Sequence, residues 1–490
     1  MTITGDADLT VSSLDALVAT LTSSAFTGDL TLTSDRTLAF TATTGSGADT
    51  ITSSSTAAQI ISTGAGADSY TGGSTVADSI TLGAGNDSVT IATANLTSVD
   101  TIAGGDGTDS IIMSNAATVV DADFTLVTGV EKISSGNNGL VVTLGSATQA
   151  AGLTTITDGT GVTNASIGSG HTGDVAVSLS TGNDTVNATV ASNDLYTGAL
   201  TVTAAGASLD GNDTITGGTG SDNLKVTGTL SNAAATIVTN FETITANDTT
   251  TAVSITIDEL TIADGETLTV DGSGLTTGVL TAVMSDDSNG INVVTGGGAA
   301  DLITGSGSDL GDTLTGGAGN DTFTFATANL TSLDTIAGGP GTDIITFSNA
   351  DTVVDADFTN VTGVETLTGH SGNSTITLGP LATAAGIVNV KPGAGTNSVT
   401  IPATHTGDLT VTAAGSDTIA ANASYAGTLT VTFDIDAQIA DTVTGGAGTS
   451  DKISMTLDGA GDTAIAETDL DSVTLFEVFD VASNVAASIT

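Results

Sequence analysis

Apolar and small polar residues alternate along most of the chain in short runs, such as GDLTLTS at 28–34, VVTLGS at 141–146, ALTVTA at 199–204 and TLTVTF at 428–433. A period of two predicts strands with one buried face. Helical spacing is rare, and SSLDALVATLTS at 12–23 and LATAAG at 381–386 are the two segments predicted as short helices. The strands are too short, and their apolar residues too small, for one compact core in 490 residues. The pattern predicts an all-β chain, a right-handed parallel β-solenoid or β-roll, in which each coil buries Val, Ile, Leu and Ala against its neighbours. Thr suits such strands and can ladder along their outer faces.

A duplication underlies the pattern. Residues 83–131 (GAGNDSVTIATANLTSVDTIAGGDGTDSIIMSNAATVVDADFTLVTGVE) align without gaps on 317–365, and the same offset pairs HTGD at 171–174 with HTGD at 405–408. Beyond that point small insertions are needed, but YTGALTVTA at 196–204 still pairs with YAGTLTVTF at 425–433, and FETIT at 241–245 with FEVFD at 476–480. Two tandem homologous halves, 1–256 and 257–490, are expected.

A shorter period runs within each half, of the form G-G-x-G-x-D-x-U-x with U apolar. Full matches are GGDGTDSII at 104–112, GGTGSDNLK at 217–225, GGAGNDTFT at 316–324 and GGPGTDIIT at 338–346. Partial matches include TGSGADTIT at 44–52, TGAGADSYT at 63–71, LGAGNDSVT at 82–90 and GGGAADLIT at 296–304. The glycines allow a tight turn, and D-x-U-x makes a very short strand with its apolar residue inward. Turn carbonyls and Asp carboxylates offer only oxygen ligands, which suit a hard cation such as Ca²⁺. One turn gives part of a shell, so turns must stack to complete it. The candidate ligands are Asp49, Asp68, Asp78, Asp87, Asp109, Asp184, Asp213, Asp222, Asp301, Asp309, Asp312, Asp321, Asp343 and Asp451, with pairs such as Asp78 and Asp87 nine residues apart. Isolated Asp-Gly steps, such as Asp158-Gly159, read as ordinary turns. Glu131 and Glu365, in the repeated VTGVE, read as strand-end features rather than ligands.

Charge sharpens this reading. Five Lys and Arg against 54 Asp and Glu give a formal net charge of −49. The cations are dispersed, so binding to nucleic acid or to anionic lipid, which needs clustered positive charge, is excluded. Glu occurs at only seven positions, so the acid is nearly all Asp. Solubility alone would use Glu as freely, whereas the short Asp side chain suits turns and ions. There is no Cys, which removes disulfides and thiolate sites. No apolar run approaches the roughly 18–20 residues of a membrane helix, and membrane insertion is not expected. The N-terminal stretch has no cation before Arg36, so an ordinary signal peptide is not expected.

These nonapeptides resemble the RTX (repeats-in-toxin) calcium-binding proteins. The segment GAGNDSVTIATANL, followed by IAGGDGTDSIIM and TGVEKI, is similar in style to RTX-bearing bacterial surface-layer proteins. The resemblance implies Ca²⁺ as the cofactor and an extracellular or cell-surface location. It also implies export through a type I channel by an uncleaved C-terminal signal, with which the end DLDSVTLFEVFDVASNVAASIT is compatible. The toxin pattern is not followed throughout, since there is no long unbroken array and no separate enzyme or pore-forming domain before the repeats.

No H-E-x-x-H, G-x-S-x-G or phosphate-loop pattern occurs, and the chain is expected not to be an enzyme. His171 and His405 are expected as surface or turn residues. Without cations, stacked carboxylates repel and the ordering of Gly-rich turns goes uncompensated. With Ca²⁺, folding and binding become one equilibrium. The function expected is a secreted structural protein that folds on calcium and assembles with itself into a surface layer, sheath or matrix filament, with cell-surface polysaccharide as a further partner. The alternative is an RTX-type adhesin that binds glycans or surfaces as a monomer.

Overall fold

The computed structural model describes residues 1–490 except 192–193, 232–233, 235–236, 258–264, 286, 289, 308–309, 351, 435–440, 458–463, 466–471, 484–487 and 490. The chain divides into two compact units, Met1–Val226 with Ala233–Thr243, and Thr227–Asn232 with Ile244–Thr490. Each is a parallel β-solenoid.

In the first unit the strands Leu30–Ser34, Thr50–Ser53, Ser69–Gly72, Ser88–Ile91, Ser110–Met113, Lys132–Ser134, Thr155–Thr157, Val175–Ser178 and Leu200–Ala205 pair in parallel, one per coil. Their register puts Leu32, Ile51, Tyr70, Val89, Ile111, Ile133, Ile156, Val177 and Val202 in one inward column, and all are fully buried. A second parallel sheet, from Thr20–Thr22 through Gln59–Ala65 and Ser79–Ala84 to Val127–Thr128, carries the facing column Leu21, Ala42, Ile61, Ile80, Ile102 and Val127. Later coils replace it with a sheet from Ala117–Val119 to Val238–Thr239. Because side chains alternate between faces, the intervening Thr and Ser point outward.

The second unit repeats the scheme. Leu280–Val283, Leu302–Thr304, Thr322–Phe325, Ile344–Phe347 and Thr366–Thr368 stack so that Ala282, Ile303, Phe323, Ile345 and Leu367 form the inward column. Val270, Val294, Leu314, Ile336 and Val361 form the facing one.

Two equivalent six-residue helices, Ser146–Ala151 and Pro380–Ala385, are described, besides short 3-10 turns. The second is the helix expected at 381–386. The helix expected at 12–23 is not formed, because Leu9–Leu14 and Thr20–Thr22 are drawn into the sheets by pairing with Leu30–Ser34 and Phe40–Thr43. Parallel pairing overrides the weak helical spacing there. Among the described residues no helix is long and apolar enough to cross a membrane.

Candidate metal centre

The Gly-rich nonapeptide turns form files along the edge of each solenoid. In the first unit, turns at 44–49, 63–68, 82–87 and 104–109 lie one above another, each leading into a strand of the same sheet. Their backbones touch. A Cβ on Gly83 would stand 1.7 Å from the Gly64 carbonyl oxygen, and one on Gly85, whose φ is +143°, would stand 1.7 Å from that of Gly66. Only glycine permits both the conformation and the approach.

The aspartates at the ends of these turns make a ladder. The backbone N–H of Leu30 donates to Asp49 Oδ1 (2.8 Å), that of Asp49 to Asp68 Oδ1 (2.7 Å), that of Asp68 to Asp87 Oδ1 (2.6 Å) and that of Asp87 to Asp109 Oδ1 (2.8 Å). The last rung differs, because Asp109 N–H donates to Glu131 Oε2 (2.8 Å). All four aspartates are buried, and the Oδ2 of each has no hydrogen-bond partner. A file in the second unit has the same plan. Leu280 N–H donates to Asp301, Asp301 to Asp321, Asp321 to Asp343, and Asp343 to Glu365 Oε2. Asp321 Oδ2 and Asp343 Oδ2 are again buried and unpartnered, while Asp301 Oδ2 accepts the Gly297 N–H at 2.6 Å.

Two nonapeptide turns stand apart from these files. The turn at 217–222 packs on Tyr196 and Gly198, and that at 445–451 on Tyr425 and Gly427. Asp222 Oδ2 accepts the Gly218 N–H (2.6 Å) and Asp451 Oδ2 the Gly446 N–H (2.7 Å), so both turns satisfy their own carboxylates. Their Oδ1 atoms accept Leu200 N–H and Leu429 N–H, and their own N–H groups donate to Glu242 and Glu477.

The remaining candidates sit on other ladders. Asp78 N–H donates to Asp100 and Asp312 N–H to Asp334, while their Oδ2 atoms accept the N–H groups of Ser74 and Ser306. Asp184 N–H donates to Asp213, whose Oδ2 accepts Asp210 N–H; Asp184 Oδ2 is unpartnered. Asp309 lies outside the described residues. Aspartates nine residues apart therefore do not adjoin in a file: Asp78 leads into Ser79–Ala84 of one sheet and Asp87 into Ser88–Ile91 of the other. The repeat that stacks like on like is one full coil, 19 to 22 residues in the file at 44–109 and 29 between Asp184 and Asp213. Asp100, Asp334, Asp417 and Asp441 belong to these ladders too, although the nonapeptide pattern does not reach them, because no full Gly-rich turn precedes them. Their signal is Asp-Thr before Ile or Val, at 100–102, 334–336, 417–419 and 441–443.

Burial and like charge set the electrostatics. Desolvation pushes Asp68 up to about 6, with Asp49 and Asp87 adding to it, and pushes Asp321 up to about 6, with Asp301 and Asp343 adding to it. Desolvation also raises Asp87, Asp109 and Asp343, with the Glu131 charge adding at Asp109 and the Glu365 charge at Asp343. The histidines, expected as surface or turn residues, both close turns, with N–H groups donating to the Gly168 and Pro402 carbonyls, but neither is at the surface. His171 and His405 are fully buried beside Tyr196 and Tyr425, with Nδ1 facing Thr148 and Thr383. Burial pushes both down, which favours neutral rings.

The files fit calcium. They hold buried carboxylate oxygens with nothing to bind, in a cradle of turn carbonyls that any side chain would fill. Among the described residues no three His, Asp or Glu side chains gather into a metal cluster. Backbone carbonyls would therefore supply much of the shell, as hard oxygen-seeking cations accept. In these files Asp49, Asp68, Asp87 and Asp109, and Asp321 and Asp343, would hold the ions, which neutralise carboxylates that otherwise repel.

The fold and the turns define a parallel β-solenoid with calcium-binding turns. The RTX calcium-binding nonapeptide repeat matches in four copies, over residues 208–225 and 286–323. The chain thus carries RTX repeats, which bind Ca²⁺, and proteins with such repeats are typically extracellular. No curated protein matches the chain.

Proposed function

We propose that this is a secreted structural protein that folds when it meets extracellular calcium and then assembles with copies of itself into a surface layer, sheath or matrix filament. The observation that carries the reading is the pair of turn files with their buried, unpartnered Asp oxygens. Extracellular calcium sites of this kind have dissociation constants on the order of 10⁻⁴–10⁻³ M, so they empty in the cytosol and fill outside. Folding is then postponed until export. At a net charge of −49 copies of the chain repel one another, and calcium bridging between acidic faces would remove that barrier. Outward Thr rows, such as Thr31 beside Thr50 and Thr410 beside Thr430, would offer a repetitive surface to a neighbouring copy or to polysaccharide.

The test is circular dichroism with negative-stain microscopy on chelated protein titrated with CaCl₂. A coil-to-β transition followed by sheets or filaments is expected. Folding to dispersed monomers would leave calcium-coupled folding standing and replace assembly with the adhesin reading. Full β structure in excess chelator at neutral pH would remove calcium from the mechanism.

A further inference from the structure

Each Asp ladder that runs through a nonapeptide turn ends in the same way. The next coil has no Gly-rich turn and carries instead VTGVE at 127–131, VTNFE at 238–242, VTGVE at 361–365 or VTLFE at 473–477. The third residue of each, Gly129, Asn240, Gly363 or Leu475, is left-handed, with φ of +61°, +61°, +63° and +61°. That conformation turns its carbonyl onto the first glycine of the turn beside it, and the following Glu takes the N–H of the ladder's last Asp.

At two of the four ends a buried oxygen is left over. Asp109 and Asp343 are fully buried, and the Oδ2 of each has no partner. Both aim at the space beside the first glycine of their own turn. A Cβ on Gly104 would lie 2.4 Å from Asp109 Oδ2 and 1.7 Å from the Gly129 oxygen, and one on Gly338 would lie 2.4 Å from Asp343 Oδ2 and 1.9 Å from the Gly363 oxygen. The same pair of oxygens occurs inside the second file, where a Cβ on Gly316 would lie 2.2 Å from Asp321 Oδ2 and 2.7 Å from the Gly338 oxygen. The VTGVE coil thus reproduces, with a left-handed Gly and a Glu, the oxygens that another nonapeptide would bring. At the other two ends the leftover oxygen is already taken, by Gly218 N–H and Gly446 N–H.

We infer that Glu131 with the Gly129 carbonyl, and Glu365 with the Gly363 carbonyl, complete a terminal calcium site at the end of each long file, so that the last nonapeptide needs no following nonapeptide to hold its ion. The inference rests on calcium binding by the files. Glu242 and Glu477 close ladders without completing such a site.

The test counts calcium bound to the full chain at saturation, by equilibrium dialysis with radioactive calcium, alongside circular dichroism. Glu131→Gln keeps an oxygen to accept the Asp109 N–H but removes the charge. It should bind one calcium fewer than the parent, Glu365→Gln one fewer, and the double variant two fewer, while Glu242→Gln binds as many as the parent. An unchanged count in a folded Glu131→Gln or Glu365→Gln overturns the inference and leaves these residues as strand-end acceptors. An equal loss in Glu242→Gln also overturns it, as a general weakening of the fold. Should one variant fail to fold, the other unit supplies the equivalent measurement. If both fail, Glu131→Asp and Glu365→Asp keep the charge on a shorter arm, and a count equal to the parent's with the carboxylate drawn back overturns the inference. A parent chain that binds no calcium overturns this inference and the proposed function together, whereas normal binding with unchanged variants overturns this one alone.

Discussion

The file at 44–109 and the lone turn at 217–222 share one consensus but dispose of their carboxylates differently. In the file, four Asp Oδ2 atoms are buried without partners. In the lone turn, Asp222 Oδ2 bends onto the Gly218 N–H. The second unit repeats the contrast, with Asp321 and Asp343 unpartnered and Asp451 bound to Gly446 N–H. A nonapeptide turn thus becomes a demanding cation site through the turn stacked on it. Buried acceptors without donors cost about 1–3 kcal/mol each, more when charged, so a file without calcium is poised against its own folding. A lone turn is largely content without the ion.

The largest expected effect comes from pH. In the calcium-free fold, carboxyls such as Asp68 and Asp321 titrate near 6, whereas unfolded Asp titrates near about 3.9. The folded chain then holds more protons across that window, so its stability falls as pH rises from about 4 to about 6. Acidifying chelated protein from pH 7 to about 4 should therefore raise its β content in circular dichroism. With calcium the direction reverses, since protons compete for the same oxygens, and less calcium should be bound as pH falls. Equal β content at both pH values in chelator would break the contrast between file and lone turn.

Next comes the backbone contact on which stacking depends. Gly85→Ala forces a methyl into the Gly66 carbonyl at a positive φ, and should cost about 3 kcal/mol or more of calcium-loaded stability. Gly211, in the DGND turn at 210–213, has an ordinary φ, and a methyl there would meet nothing within 4 Å, so Gly211→Ala should change stability by less than about 0.5 kcal/mol. Thermal melts in calcium compare the two directly.

A smaller effect separates the carboxylates themselves. Asp87→Asn keeps an acceptor for the Asp68 N–H but removes the charge at an interior position, and should raise the calcium midpoint of folding about tenfold. Asp222→Asn should leave that midpoint nearly unchanged, because its Oδ2 is engaged by its own turn. Equal shifts in a calcium titration followed by circular dichroism would show that stacking is not what makes a site.

Much of this was legible in the sequence, because the alternation of GDLTLTS and the G-G-x-G-x-D spacing are local signals set by pleat and turn chemistry. Which turn meets which was not local. Coil length fixes it, and a coil of 19 to 22 residues places Asp78 and Asp87 on different sheets although they are nine apart. Asp100 and Asp334 are hidden from any pattern keyed on glycine, because their Asp-Thr-Ile has no Gly-rich turn before it. The burial of His171 is equally hidden, because it depends on Thr148 and Tyr196, 23 and 25 residues away in neighbouring coils. A lone polar residue in a loop carries no sign of what the next coil lays over it.

The finest distinction lies among the four coils that end the ladders. Gly129 and Gly363 take the left-handed conformation without strain, and Asn240 takes it at modest cost, but Leu475 holds φ +61° with a branched side chain that is 55% exposed. A left-handed non-glycine residue costs roughly 1–2 kcal/mol, and glycine returns about half of that through the extra freedom of the unfolded chain. Little packing is lost with so exposed a side chain. Leu475→Gly should therefore stabilise the second unit by up to about 1 kcal/mol, read as a higher midpoint in calcium-loaded thermal melts. Gly129→Leu is the reverse substitution in another of these four coils, the one that ends the long file of the first unit, and should destabilise by somewhat more, because the calcium-binding file beside it depends on where the Gly129 carbonyl points. If the two substitutions prove equal and opposite, the left-handed residue serves backbone geometry alone. A larger loss at Gly129 would tie that geometry to calcium binding by the file beside it.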